Sequence, residues 1–150
     1  MATKAIQQST VSKKLIARWE QIGRKLMVLA DEMPVDKFDY RPVDGVRTFA
    51  DVLRHVAFWN HYVADVVCGK KGDDTSNEIP KSKFSTRAQV LGGLKRSIAE
   101  ACNARENHRS DLTPAMVELL VTFIEHNCEH YGQLVVYARS NGIVPPASRG

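Results

Sequence analysis

Residues 113–140 read TPAMVELLVTFIEHNCEHYGQLVVYARS, and this stretch decides the fold class of the chain. It opens with Thr113 and Pro114, a hydroxyl suited to a helix N-cap followed by a proline at the first helical position. Asn141-Gly142 follows it, and glycine is common just beyond a helix end. Apolar residues recur between these ends at steps of three and four, which predicts one long helix. The residues expected on its inward face are Val117, Leu120, Val121, Ile124, Cys128, Tyr131, Val135 and Ala138.

Helical periodicity also marks the first half of the chain. Apolar residues at steps of three and four predict a helix from about residue 10 to 33, which Pro34 ends. A second helix is expected over about 49–68, because Thr48 and Asp51 form a variant of the capping box before an apolar stripe.

The two central helices are separated by residues 69–84, which combine turn-forming residues with charges and lack periodicity. A connection this long could carry the chain across a helix bundle. Ser85 or Thr86 can cap a third helix beyond it, whose Gly92-Gly93 pair could allow close packing or a kink. Four apolar-striped helices with no strand pattern predict an all-α protein, an antiparallel four-helix bundle.

Length and composition favour one globular domain that spans residues 1–150. The chain has 150 residues, of which 43% are hydrophobic, enough for one compact core. Its net charge is +4 and its pI is near 9.1, but the basic residues are dispersed among acidic ones. No basic patch is interleaved with aromatic residues, so we expect a mixed, solvated surface and no nucleic-acid partner.

The cysteines and the N-terminal residues indicate the cellular compartment of the protein. The three cysteines are odd in number and lack Cys-x-x-Cys spacing, so we expect Cys68, Cys102 and Cys128 to be reduced, buried thiols. The first residues lack the apolar core of a signal peptide, and no apolar run reaches the length of a membrane span. By elimination we expect a cytoplasmic protein with no membrane partner.

His126 and His130 are the strongest chemical signal in the chain. Four residues advance a helix by about 400°, so the two imidazoles share one face, one turn apart. Neutral imidazole nitrogens suit divalent ions of borderline softness, and an open site needs a third ligand from elsewhere. The pair alone is equally compatible with two histidines at a helix surface or bundle seam that bind no metal.

A third ligand is expected from the second helix. His55 lies on the line of Val52, Trp59 and Tyr62, so it should point to the core or to a cleft beside it. His61 lies six residues further on, about 240° around the helix, so only one of the two can join the site. We favour His55 because its neighbours are apolar and aromatic, although a histidine on such a face could also be an ordinary core residue.

A competing motif involves the same helix. The pattern His126-x-x-Glu129-His130 also matches that of inverted zinc proteases. Those enzymes take a glutamate ligand far downstream, whereas only 20 residues follow His130, so the protease interpretation is poor. Glu129 lies about 100° from His130 and could act as a base, but we expect it to be exposed or ion-paired. His108 lies in a polar turn and is expected to be solvated.

Further residues lie near the expected site. Gln133 shares the face of both histidines, so it could hydrogen-bond a histidine, a metal-bound water or a substrate, or be an ordinary seam residue. Tyr62 and Tyr137 each follow a candidate ligand by seven residues and are expected to pack near the same cleft. Cys128 points about 200° away from His126 and is rejected as a ligand.

Two segments together resemble the DinB-like superfamily, also called the DinB/YfiT-like metalloenzymes. The first is RPVDGVRTFADVLRH at residues 41–55, and the second runs from His126 through Gln133 to Pro145-Pro146. The resemblance covers nearly the whole chain. It implies a four-helix bundle with up-down-down-up connectivity, often as a homodimer. It also implies a divalent ion on His55, His126 and His130.

The same resemblance implies a class of function. Characterised relatives include thiol-dependent transferases and isomerases, so it implies a metal-dependent thiol S-transferase or hydrolase. Its partners would be a small-molecule substrate and a low-molecular-weight thiol. Zinc or nickel would be the first candidates for the ion, and iron or manganese the next. Two alternatives stay open: a non-catalytic metal-binding or interaction protein whose ion clamps the second helix to the fourth, and a metal-free dimerisation module.

Overall fold

A computed structural model describes residues 2–107 and 112–149 of the chain. It contains four α-helices: α1 (Ala2–Glu32), α2 (Phe49–Val67), α3 (Arg87–Asn107) and α4 (Pro114–Ser140). Short 3₁₀ helices follow α1 and α4, and the described residues contain no strand. The all-α prediction is confirmed. Across the described ranges, none of the helices combines the length and apolarity that crossing a membrane requires.

The helix ends follow local hydrogen bonding. The Thr48 hydroxyl accepts from the backbone N–H of Asp51, whose carboxylate accepts from Thr48 in return, which completes a capping box. Thr113 caps α4 in a similar way, with its hydroxyl accepting from the N–H of Met116. The start of α1 was predicted too late, because the helix extends back to Ala2 through residues that contain no helix breaker.

Each helix packs against two others around the bundle. Both α1 and α2 contact α3 and α4, so α1 lies diagonally opposite α2. Arg54 donates to the Phe84 carbonyl oxygen just before α3, and Asn60, further along α2, donates to Ser97 in the middle of α3, so α2 and α3 run in the same direction. The antiparallel arrangement expected from the helix pattern therefore does not extend to α2 and α3, since the long connection after α2 returns the chain to the end where α2 begins. The contacts fit up-down-down-up connectivity.

The inward face of α4 differs from the predicted stripe. Leu120, Asn127 and Leu134 are buried at seven-residue steps, whereas Val121 and Cys128 are exposed. Each exposed residue follows a buried one, and one residue rotates the helix by about 100°. Cys102 is buried as expected, but Cys68 and Cys128 are not, which corrects the prediction of three buried thiols.

A buried chain of polar side chains fixes α4 against α2 and α3. The Asn127 amide donates to Oδ1 of Asn60, and the Asn60 amide donates to the hydroxyl of Ser97. That hydroxyl in turn donates to the Leu94 carbonyl. All three side chains are almost fully buried. Since misalignment would leave buried polar groups without partners, this chain sets the register of the helices that carry the site.

Candidate metal centre

Three histidines from two helices meet at one point. His55 comes from the middle of α2, and His126 and His130 come from successive turns of α4. The Nε2 atom of His126 lies 3.0 Å from Nε2 of His55 and 3.1 Å from Nε2 of His130. Within the described residues, these three form a group whose ligand atoms all lie within 4.8 Å of one another. The structure therefore brings together all three histidines that the sequence singled out.

The other ring nitrogen of His55 is held by the connection between α2 and α3. Its Nδ1 lies 2.7 Å from the backbone carbonyl oxygen of Asn77. A carbonyl oxygen can only accept a hydrogen bond, so Nδ1 carries the proton. In the neutral imidazole, Nε2 is then left with a lone pair that points into the group.

A relay of hydrogen bonds fixes His130 in the same tautomer. The Tyr137 hydroxyl donates to the Arg47 carbonyl oxygen at 2.9 Å, so it accepts from the Gln133 amide nitrogen, also at 2.9 Å. That orientation turns Oε1 of Gln133 toward His130, where it lies 2.9 Å from Nδ1. The amide oxygen accepts, so Nδ1 of His130 carries the proton and its Nε2 is bare.

His126 lies between the other two ligands in an environment that opposes protonation. Burial, together with the neighbouring histidines His130 and His55, lowers its pKa to about 4. Its Nδ1 is buried without a hydrogen-bond partner among the described residues, as is Oδ1 of the adjacent Asn127. The Asn127 side chain acts against these effects and raises the pKa of His126. Burial also lowers the pKa of His55 and His130.

The donor set fits a divalent metal ion. Three Nε2 lone pairs converge at about 3 Å and repel one another unless a positive charge lies between them. A second proton on any of the three rings is disfavoured, because burial lowers the pKa of each imidazole. An ion bound at about 2.0 to 2.1 Å by tetrahedral ligands would need nitrogens about 3.3 Å apart, close to two of the separations observed. His55, His126 and His130 could therefore hold such an ion with small adjustments.

An aromatic cluster borders the histidines on one side. Trp59 of α2 stacks on Phe123 of α4 with ring centroids 5.4 Å apart, and Tyr62 contacts both rings. Phe123 lies 5.6 Å from the His126 ring, and Trp59 lies 6.4 Å from the rings of both His55 and His126. These half-buried rings make that side of the group apolar.

The remaining candidates lie elsewhere. His61 faces α3, where its Nδ1 is 2.6 Å from a carboxylate oxygen of Glu100, so the preference for His55 as the third ligand agrees with the geometry. Glu129 and Cys128 are exposed and stand outside the group. His108 lies outside the described residues.

Sequence reasoning missed two contributors to the site. Asn77 contacts His55 from an irregular segment. Glu78 forms an ion pair with Arg47, and the positive charge of Arg47 helps to lower the pKa of all three histidines. No local sequence pattern predicts the contact of Asn77 with His55 or that of Glu78 with Arg47. The only local hint is an Asn in a segment rich in turn formers.

Comparison with known families decides the identity of the fold. The sequence profile of the DinB superfamily matches residues 18–134, which include all of α2 and α3 and all three histidines. The chain belongs to the DinB superfamily. This DinB protein has no match among curated proteins. The membership agrees with the resemblance that residues 41–55 and the second half of α4 suggested.

Proposed function

We propose that this DinB protein is a metal-dependent enzyme of the thiol S-transferase or hydrolase type. One divalent ion would bind to His55, His126 and His130, with zinc or nickel as the first candidates and iron or manganese as the next. The observation that carries the proposal is the convergence of three Nε2 atoms at 3.0 and 3.1 Å. Two of these histidines are held in the ligating tautomer by acceptors on Nδ1.

The ligand count supports catalysis over a purely structural role. Catalytic zinc sites commonly use three protein ligands, whereas structural sites use four, and the group contains three in the part of the chain described. A divalent ion on neutral imidazoles lowers the pKa of a water or a thiol at its remaining position. The chain itself orients the imidazoles through Asn77 and Gln133. Trp59 and Phe123 place apolar rings beside His126.

The proposal includes the partners and the compartment. The substrate would be a small molecule and the co-substrate a low-molecular-weight thiol, with no nucleic acid or membrane involved. A cytoplasmic location suits the exposed Cys68 and Cys128, because reducing conditions keep exposed thiols from forming disulfides.

Cobalt substitution tests this chemistry. Cobalt-loaded protein is titrated with cysteine and with glutathione, and absorption from thiolate-to-cobalt charge transfer is followed. A Cys68→Ser/Cys128→Ser variant serves as the control, since it removes the exposed thiols of the chain. The proposal predicts a saturable new band in both proteins, and metal-dependent transfer or hydrolysis with some member of a broad substrate panel. No band with either thiol and no such activity would favour an ion that only clamps α2 to α4.

A further inference from the structure

Asn77 makes two hydrogen bonds to α2 from outside the helices. Its backbone carbonyl oxygen lies 2.7 Å from Nδ1 of His55, and its side-chain Oδ1 accepts from Nε1 of Trp59 at 3.0 Å. The two donors are one turn apart on the helix. One residue of the α2–α3 connection, residues 68–86, thus fastens both a candidate metal ligand and the aromatic ring beside it.

The backbone of Asn77 has a conformation that few residues adopt readily. Its φ is +61°, in the left-handed region, and it is the sole residue other than glycine with a positive φ in the described ranges. Asn and Asp tolerate this region better than other residues with a side chain, because their short polar groups can bond locally. In this conformation, both the backbone carbonyl oxygen and the side-chain Oδ1 of Asn77 contact α2.

Neighbouring contacts hold the connection on both sides of Asn77. The carboxylate of Asp73 accepts hydrogen bonds from Thr75 and Ser76, which organises the turn before it. After it, Glu78 forms an ion pair with Arg47, at the end of the segment that precedes α2. The connection is therefore ordered before Asn77 by its own turn, and it is attached after Asn77 to the segment that precedes α2.

We propose that Asn77 is a positioning residue of the metal centre, and that through it docking of the connection and metal binding strengthen each other. The inference rests on the proposed metal site. His55 ligates through Nε2 only when its ring is oriented by the bond at Nδ1, and Asn77 supplies the acceptor. Because coupling between two equilibria is reciprocal, an ion on His55 also favours the docked connection.

Substitutions at residue 77 test the side-chain hydrogen bond to Trp59 separately from the positive φ of the backbone. Asn77→Gly retains access to a positive φ but removes the acceptor for Trp59, and Asn77→Asp restores an acceptor. Asp74→Ala is the matched control, an exposed position three residues away in the same connection. Trp59→Phe removes the same hydrogen bond from the other partner. The Asn77→Gly/Trp59→Phe double variant then shows whether both substitutions act through the same hydrogen bond.

Two measurements are made on each variant: the zinc dissociation constant, by competition with a chromophoric chelator, and the rate of tryptic cleavage in the connection with and without zinc. Lys70, Lys71, Lys81 and Lys83 are exposed cleavage sites there, and mass spectrometry identifies the bond that is cut. Asn77→Gly and Trp59→Phe should each weaken zinc binding about tenfold and lose most of the zinc-dependent protection. Asn77→Asp and Asp74→Ala should bind zinc as tightly as the parent and show the same zinc-dependent protection from trypsin. The Asn77→Gly/Trp59→Phe double variant should lose no more zinc affinity than either single variant.

The outcomes distinguish the inference from the function on which it rests. If the parent protein binds none of zinc, nickel, iron and manganese, the proposed metal site is wrong. If the parent binds zinc, the inference is overturned by an Asn77→Gly protein with a dissociation constant within twofold of the parent and with full protection. It is also overturned if Asn77→Asp binds zinc as weakly as Asn77→Gly, because the side-chain acceptor for Trp59 would then have no effect on metal binding. Circular dichroism and unfolding of the metal-free proteins check that each variant is folded.

Discussion

Nδ1 of His130 lies 2.9 Å from Oε1 of Gln133, three residues further along α4. The amide of Gln133 is itself oriented by Tyr137, whose hydroxyl donates to the Arg47 carbonyl oxygen. Gln133 therefore contacts a candidate ligand through its oxygen and leaves the amide nitrogen to a residue away from the histidines. This geometry favours a positioning role for Gln133 over direct contact with a substrate.

Loss of the Gln133 side chain should weaken metal binding. Gln133→Ala removes the acceptor at Nδ1 of His130, and the expected loss of zinc affinity is about tenfold to a hundredfold. Gln133→Glu keeps an acceptor and should bind zinc nearly as tightly as the parent. Competition with a chromophoric chelator measures both constants. Equal affinity of Gln133→Ala and the parent would show that this hydrogen bond does not orient the ligand.

The choice of His55 over His61 is open to a direct comparison. His55→Ala should reduce zinc affinity by at least about a hundredfold, since it removes one of three ligands. His61→Ala is the control on the same helix and should leave affinity unchanged, because His61 faces Glu100 on α3. Isothermal titration of both metal-free proteins gives the answer. Weaker binding in His61→Ala, with normal binding in His55→Ala, would exchange the two assignments.

Local signals made much of the fold and the site predictable. Thr48 and Thr113 bond within their own helices, so their sequence neighbours reveal the helix starts. The pairing of His126 with His130 follows from helix periodicity alone. The inward face of α4 was less clear, because apolar residues occupy both the buried Leu120–Leu134 line and the exposed position 121. Asn77 could not be placed, since its contact with His55 depends on the path of an irregular connection.

Acid should weaken the start of α2 through Asp51. Burial alone would raise the pKa of this carboxyl, but hydrogen bonds from Arg54 and Thr48 outweigh it and lower the pKa to about 2. The folded-state pKa is below the unfolded one of 3.8, so its contribution to stability is present above about pH 4 and is lost as the pH falls through 2.

Asp51→Asn should therefore lower the free energy of unfolding at pH 7 by about 2 kcal/mol, because the buried Arg54 guanidinium loses its charged partner. The difference between parent and variant should shrink between pH 4 and pH 2. Urea unfolding of the metal-free proteins measures it. A difference that stays constant over this range would show that Asp51 is not the titrating group. Asp74→Asn, at an exposed residue, is the control.

We propose that the protein forms a homodimer, as the sequence resemblance implied. The exposed valines Val28 of α1 (48% exposed) and Val136 of α4 (56% exposed) are apolar residues that such an interface could bury. Val28→Glu/Val136→Glu should shift the protein toward the monomer in sedimentation equilibrium. Val43→Glu, at a 60% exposed residue outside the helices, should not. A monomeric mass for the parent protein across micromolar concentrations would contradict the expectation.

The most direct test of the metal centre is elemental analysis of protein purified without an affinity tag. Three inward-facing Nε2 lone pairs predict about one equivalent of a divalent transition metal per chain in the parent protein. His126→Ala removes the ligand that lies between the other two, so its metal content should fall below about a tenth of an equivalent, while His61→Ala should keep the full amount. No metal in the parent protein, even after incubation with zinc, or full occupancy in His126→Ala, would contradict the assignment of this three-histidine site.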